Sequence, residues 1–259
     1  MPEGDTVWLT AHRLDEALAG RPLTVSDFRV PALATTDLRG RVVREVRARG
    51  KHLLIRVDGA LTVHTHLRMD GVWRIRRAGP PPRDHRIRLA LGNARWLALG
   101  YALGVVELLR TEEEDGAVGR LGPDLLGPDW DPAEAVHRLL RRPERAIGEA
   151  LLDQSLLAGI GNVYKSELCF LRGVHPWRPV GETADLPGLV DLAHRLLEAN
   201  KRRHGHITTG DLRPGRRHWV YGRAGRPCRR CGALIEHALQ GPETGERLTF
   251  WCPRCQPRP

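Results

Sequence analysis

The stretch whose reading decides the architecture is CRRCGALIEHALQGPETGERLTFWCPRC, residues 228–255. Cys228-x2-Cys231 and Cys252-x2-Cys255 are separated by 20 residues, and two such knuckles can wrap one zinc ion tetrahedrally. All four ligand positions are filled, so the site reads as structural rather than catalytic. Between the knuckles, ALIEHAL and RLTFWC read as two strands around a Gly-Pro turn. The expected module is a zinc β-hairpin, a staple of the kind that short domains need. Arg247 lies on its second strand, five residues before Cys252, and taken alone reads as a solvated arginine. The fifth cysteine, Cys169, sits in an apolar helical stretch and reads as a small buried core residue.

Upstream of the hairpin, residues 206–227 are basic and irregular. Residues 201–259 hold 13 Lys/Arg against 4 Asp/Glu, whereas the first 200 hold 28 against 27. A basic tail attracts polyanions, of which nucleic acid is the commonest in a cytosol, although net charge speaks only loosely to partners. Residues 133–205 show helical periodicity in PAEAVHRLLRR, ERAIGEALLDQ, VYKSELCFLRG and LVDLAHRLLEANKRR. Within them Gly159-Ile160-Gly161-Asn162 permits a tight turn, and a helix beginning near Asn162 offers its backbone N–H groups to a phosphate. A plain helix–helix connection is the default for so short a signal.

Residues 116–132, rich in Gly, Pro and Asp, read as a linker. Before them, from Leu23 to about Leu109, short alternating or apolar runs punctuated by Gly and Pro suggest an all-β sandwich or barrel. An amphipathic helix is expected over residues 5–19, capped by Asp5 and stopped by Gly20. The fold class is therefore α+β and multidomain: a helix plus β-sandwich over 1–115, a linker over 116–132, a helical domain over 133–205, and a basic segment with a zinc hairpin over 206–259. No apolar run approaches the roughly 20 residues of a membrane span. MPEGDTVW lacks the pattern of a signal peptide. The expectation is a cytoplasmic, nucleoid-associated monomer with no membrane partner.

Several of these segments converge. PEG at 2–4, RGKHLL at 49–54, THLRMDGVWR at 65–74, LLDQSLLAGIGNVYKSE at 151–167, VYGRAGRPCRRCG and WCPRC together resemble the formamidopyrimidine-DNA glycosylase/endonuclease VIII family of helix–two-turns–helix repair enzymes. The resemblance covers nearly the whole chain, in the family's order. It implies a bifunctional glycosylase and lyase acting on oxidised bases in damaged DNA, with one structural Zn2+ on Cys228, Cys231, Cys252 and Cys255. It further implies Pro2 as nucleophile, Glu3 as its acid–base partner, and Lys51, His66, Asn162 and Arg247 as phosphate-binding residues. Met69 resembles the residue that fills the gap left by an everted base, with Tyr101 as a possible helper. Thr6 stands where the family often has a second acid. No DPRRFG-like loop is present, the region reading LGYALGVVELL, and this brings the chain nearer to endonuclease VIII and to oxidised pyrimidines.

The chemistry explains the residue types. Removal of Met1 exposes the secondary amine of Pro2, which can attack C1′ and form an iminium. The iminium acidifies the C2′ proton, so β-elimination and then δ-elimination can follow. Each residue also has a plainer role: Glu3 as a first-turn glutamate, Lys51 as a surface lysine, Met69 as a core methionine. A non-catalytic DNA-binding protein of the same fold is the alternative. A zinc-ribbon transcription or ribosome-associated factor explains the charge and the cysteines, but not PEG and RGK.

Overall fold

The computed structural model describes residues 2–258, which fall into two compact units, one running through Arg120 and the other beginning at Leu121. The N-terminal unit opens with helix α1 (Gly4–Leu18). Its cap is Glu3 rather than the expected Asp5: the Val7 N–H donates to the Glu3 carbonyl at 3.0 Å, so the first turn closes earlier. Asp5 lies inside that turn and accepts the backbone N–H of its neighbour Thr6 at 2.7 Å.

Eight strands follow: β1 (Val25–Phe28), β2 (Val43–Arg49), β3 (His52–Val57), β4 (Leu61–His66), β5 (Val72–Arg77), β6 (Ile87–Gly92), β7 (Trp96–Tyr101) and β8 (Val105–Arg110). They form two antiparallel sheets, in the orders β1-β6-β7-β5 and β2-β3-β4-β8. Period-two alternation explains the sandwich. Trp73 and Ile75 of β5, Leu89 and Leu91 of β6, Leu53 and Ile55 of β3 and Val63 of β4 join Val7, Ala11 and Leu14 of α1 in one core. Alternate residues of β5, Arg74 and Arg76, face outward and are exposed. The outer face of the second sheet carries instead a polar network closed by α2 (Glu114–Val118). There Arg56 grips Glu114 with Nε–Oε1 2.8 Å and Nη2–Oε2 2.6 Å, while Thr62 Oγ1 donates to Oε1 at 2.6 Å.

The C-terminal unit packs α3 (Pro132–Leu140), α4 (Ile147–Leu152), α5 (Asn162–Leu171) and α6 (Leu186–Asn200) around Leu139, Leu151, Ile160, Tyr164, Leu168 and Val190. Cys169 is fully buried in that core, as a small apolar residue should be. The hairpin of β9 (Glu236–Gln240) and β10 (Arg247–Trp251) completes the unit.

The segment expected as a linker at 116–132 is divided. Its first residues finish α2, and Gly122 and Leu125 donate to the carbonyls of Gln154 and Ala158 at 2.8 and 3.2 Å. Gly, Pro and Asp here serve backbone pairing with the helical turns rather than looseness. Similarly, the helices, the basic segment and the zinc hairpin share one compact unit. Among the described residues no helix is long and apolar enough to cross a membrane.

Candidate functional site

In the N-terminal unit, Pro2 is half-buried and Glu3 fully buried at the head of α1, a helix that packs on β2. Met1 lies outside the described residues. The positive end of the α1 dipole lies at these two residues. Thr6, half-buried, brings no carboxylate to the first turn, but the neighbouring Asp5 is buried.

Lys51, His66 and Met69 gather at one end of the β2-β3-β4 sheet. Gly50, at φ 57°, turns the chain from β2 into β3 and sets Lys51, half-buried, beside His52. His52 pairs across the sheet with His66. The loop after β4 then presents Met69 at 55% exposure. Core methionine is thus the reading the structure excludes. The tip is tightly wound: Arg68 has φ 52°, and a side chain on Gly71 would meet the Leu67 carbonyl at 2.4 Å.

A chain of imidazoles backs this end, of which the sequence reading named only His66. His64 Nδ1 lies 2.9 Å from Glu107 Oε2, His64 Nε2 lies 2.8 Å from His52 Nδ1, and the His52 and His66 rings meet edge-on at 4.8 Å. A carboxylate accepts only, so the tautomers follow in order: His64 donates to Glu107 and His52 donates to His64. His66 Nδ1 accepts the Arg68 N–H at 2.9 Å, leaving Nε2 as its donor. Burial, with Lys51, His64 and Arg68 nearby, lowers the His66 pKa to about 4; burial and the cations around His52 lower that residue to about 3. At neutral pH His66 therefore offers a neutral N–H rather than a positive charge. Register on alternating strands, not spacing along the chain, assembles this group, and a His-x-His on a strand is its one faint sequence signal.

In the C-terminal unit the loop between α4 and α5 makes two turns stapled by one side chain. Gln154 Nε2 donates to the carbonyls of Leu152 and Ile160 at 2.9 and 3.0 Å, and Oε1 accepts from Gly159 N–H at 3.1 Å. Gly159, at φ 112°, adopts a conformation only glycine takes without strain. Asn162 begins α5 almost fully buried, and its Nδ2 donates to the Leu248 carbonyl at 2.8 Å. Leu248 follows Arg247, so the structure brings Asn162 and the exposed Arg247 to one place. Lys165, buried, reaches Thr249 on the same strand.

Sequence reading also missed the group that shapes the basic segment. Glu167 of α5 is fully buried and accepts the backbone N–H groups of Trp219, Val220 and Tyr221, each at 2.8 Å, together with the Thr208 hydroxyl. One carboxylate thereby ties residues 208–221 to the helix.

The cysteines Cys228, Cys231, Cys252 and Cys255 place four Sγ atoms within 4.8 Å of one another. A Zn–S bond of about 2.3 Å requires tetrahedral edges of about 3.8 Å. The Cys231–Cys252 and Cys228–Cys255 separations are 3.5 and 4.0 Å. This donor set fits one structural zinc ion, held with no vacant position for catalysis.

Comparison with known proteins follows these two units. Residues 1–100 match the formamidopyrimidine-DNA glycosylase N-terminal domain, 121–196 its H2TH domain, and 225–258 the zinc finger found in that enzyme and in isoleucyl-tRNA synthetase. The chain is 60% identical to a probable endonuclease 8 2 of Streptomyces coelicolor, over 100% of this chain and 95% of that one. It is 52% identical to a DNA-(apurinic or apyrimidinic site) lyase of Mycolicibacterium smegmatis, over 99% of each. Endonuclease 8 of Escherichia coli is 35% identical over 99% of this chain and 100% of its own. The fold is that of Lactococcus lactis formamidopyrimidine-DNA glycosylase bound to DNA containing an abasic site, at TM-score 0.83 and 24% identity, covering 99% of this chain and 100% of that one. With all three domain matches in order and relatives this close along its length, the chain belongs to the formamidopyrimidine-DNA glycosylase/endonuclease 8 family.

Proposed function

We propose that the chain is a bifunctional DNA glycosylase and DNA-(apurinic or apyrimidinic site) lyase that works through the amine of Pro2. The observation that carries this is the pairing of Pro2 with a fully buried Glu3 at the head of α1, in a chain whose relatives are endonuclease 8 enzymes and an abasic-site lyase.

A free α-amino group titrates near about 7.7–8.0, proline's being more basic. The dipole of α1 adds to the unprotonated fraction. The nitrogen lone pair attacks C1′, the damaged base leaves with its bonding electrons, and the ring oxygen opens to give an iminium. Glu3 moves protons at this centre. Loss of the C2′ proton then expels the 3′ phosphate, and a second elimination expels the 5′ phosphate. Lys51 holds a phosphate by charge, and His66 through its Nε2–H. In the C-terminal unit, Asn162 and Arg247 hold the backbone through the first turn of α5 and the exposed guanidinium. Met69 enters the stack where the base has left, an everted base costing a few kcal/mol. Oxidised pyrimidines are the preferred lesions, a reading supported by the endonuclease 8 names of the relatives and by the absence of a DPRRFG-like loop. The enzyme acts as a monomer in the cytoplasm, at the nucleoid.

Borohydride supplied during reaction with a duplex carrying an abasic site tests the mechanism. A covalent protein–DNA adduct is expected, reduced in Pro2→Gly, where a primary amine replaces the secondary one, and reduced in Glu3→Gln. Strand cleavage with no trapped adduct, or equal trapping in all three proteins, points to a different nucleophile or mechanism, and neither cleavage nor adduct to the non-catalytic alternative.

A further inference from the structure

The outer face of the β1-β6-β7-β5 sheet carries a charge pattern that the proposed reaction does not use. Residues 72–96 contain seven arginines and a single acid, Asp84. Register places Arg74 opposite Leu99 and Arg76 opposite Leu97, and these leucines are buried in a small cluster on this outer face. The arginine stems cover that cluster while their guanidinium groups remain in solvent. Arg74 and Arg86 lie over the ring of Tyr101, at 5.2 and 5.9 Å from its centroid. Asp84 is taken by Arg86 at 2.8 Å, and the one acid contributed by β1, Asp27, by Arg29 at 2.7 Å. Among the described residues Arg74, Arg76, Arg83 and Arg88 are exposed and bind no carboxylate.

A merely solvated face interleaves its charges, and the opposite sheet does so. There Glu45, Glu107 and Glu114 match Arg56, His64 and Arg47. The like-charged arginines of the first sheet repel one another and lack that compensation. Tyr101, which the sequence offered as a helper in filling the duplex, lies under two guanidiniums. Over the ring, the Arg74 guanidinium keeps its N–H edge for phosphate oxygens, whereas Arg86 spends its own on Asp84. Strand β5 leaves the Met69 loop directly and runs five residue steps, about 17 Å, away from it. At about 3.4 Å per base pair that distance equals some five base pairs of duplex.

We infer that this arginine face is a second, sequence-independent docking surface for the phosphate backbone of duplex DNA flanking the lesion. The inference rests on the reading of the chain as a DNA-processing enzyme. It adds a contact that only substrates longer than the immediate lesion site can make.

The test compares the zinc-loaded full-length protein with a quadruple variant, Arg74→Ala, Arg76→Ala, Arg83→Ala and Arg88→Ala. Binding is measured by fluorescence anisotropy on a short duplex, with about four base pairs on each side of an uncleavable abasic analogue, and on one with about 20. With the variant, affinity for the long duplex should fall at least tenfold, and its salt dependence should flatten by up to about 3.6 in slope, at roughly 0.9 for each of four lost phosphate contacts. Affinity for the short duplex and cleavage of a short abasic substrate should change less than twofold. Equal loss on both duplexes, or no loss on either, overturns the inference. So does unchanged DNA binding with lost binding of a labelled polyglutamate peptide, which would assign the face to an acidic protein. If the wild-type protein does not cleave the short abasic substrate, the catalytic reading fails while the length-dependent binding still judges this surface. A thermal melt within a few degrees of wild type confirms that the variant is folded.

Discussion

Glu167→Gln gives the strongest test of how the basic segment is held. The carboxylate satisfies three backbone N–H groups and one hydroxyl, all in a fully buried position. An amide must place its NH2 at one of the two oxygen positions. The Oε1 position faces two backbone donors, Val220 and Tyr221, whereas Oε2 faces Trp219 N–H and the Thr208 hydroxyl. The less costly choice puts the NH2 at Oε2, because a hydroxyl can turn to accept. Trp219 N–H is then left against another donor, costing about 1–3 kcal/mol. The two bonds at Oε1 lose their charge assistance, about 1 kcal/mol each. The total is about 4 kcal/mol, which at about 2–4 °C per kcal/mol lowers the melting temperature by about 8–16 °C. Calorimetry of the zinc-loaded protein reads this shift directly, and Thr208→Val should cost only a fraction of it. A change below about 2 °C in Glu167→Gln would refute the clamp.

Other outcomes follow from the same geometry. Burial alone would raise the Glu114 pKa, but hydrogen bonds from Arg56 and Thr62 and the charges of Arg56 and Arg47 hold it down at about 2. Its folded value lies below its ordinary 4.5, so its contribution is complete above about pH 4.5 and is lost as pH falls towards 2. Glu114→Gln should therefore lower stability at pH 7 by about 3 kcal/mol and much less near pH 2, measured by urea unfolding. His66, lowered to about 4, is neutral in the free protein. A phosphate beside it favours the charged form, so DNA binding should take up protons as pH falls below about 6.5. His66→Gln should abolish that uptake, read by titration calorimetry in buffers of different ionisation heat. Met69→Ala should leave the melting temperature within about 1 °C, since the side chain is 55% exposed, yet slow excision from duplex DNA. Stripping zinc with a chelator should unfold the hairpin and abolish binding, and Cys252→Ala should do the same.

Local signals explain how far the sequence could be read. The cysteine knuckles, the strand alternation and the glycine turn before α5 are short-range patterns, and each became the element they suggested. The imidazole chain was invisible because His52, His64 and Glu107 meet only through the register of three strands. Glu167 was invisible because its partners lie more than 40 residues downstream. The boundary between the two units falls inside the segment read as a linker, but its later residues pair with the two-turn loop, since Gly and Pro mark such pairing as readily as flexibility. The arginine face was hidden by averaging: the first 200 residues nearly cancel in charge, while residues 72–96 do not. Asp5 resembled a helix cap, but Glu3 lies one position before the helix begins and takes that place.

The central claim is that the nucleophile is the amine of Pro2. Digesting the borohydride-trapped complex and sequencing the modified peptide by mass spectrometry tests it most directly. The account predicts that the sugar remnant sits on the nitrogen of a peptide beginning at Pro2, with Met1 absent. A remnant on Lys51 or any other lysine, or an adduct on chains that still carry Met1, would contradict it.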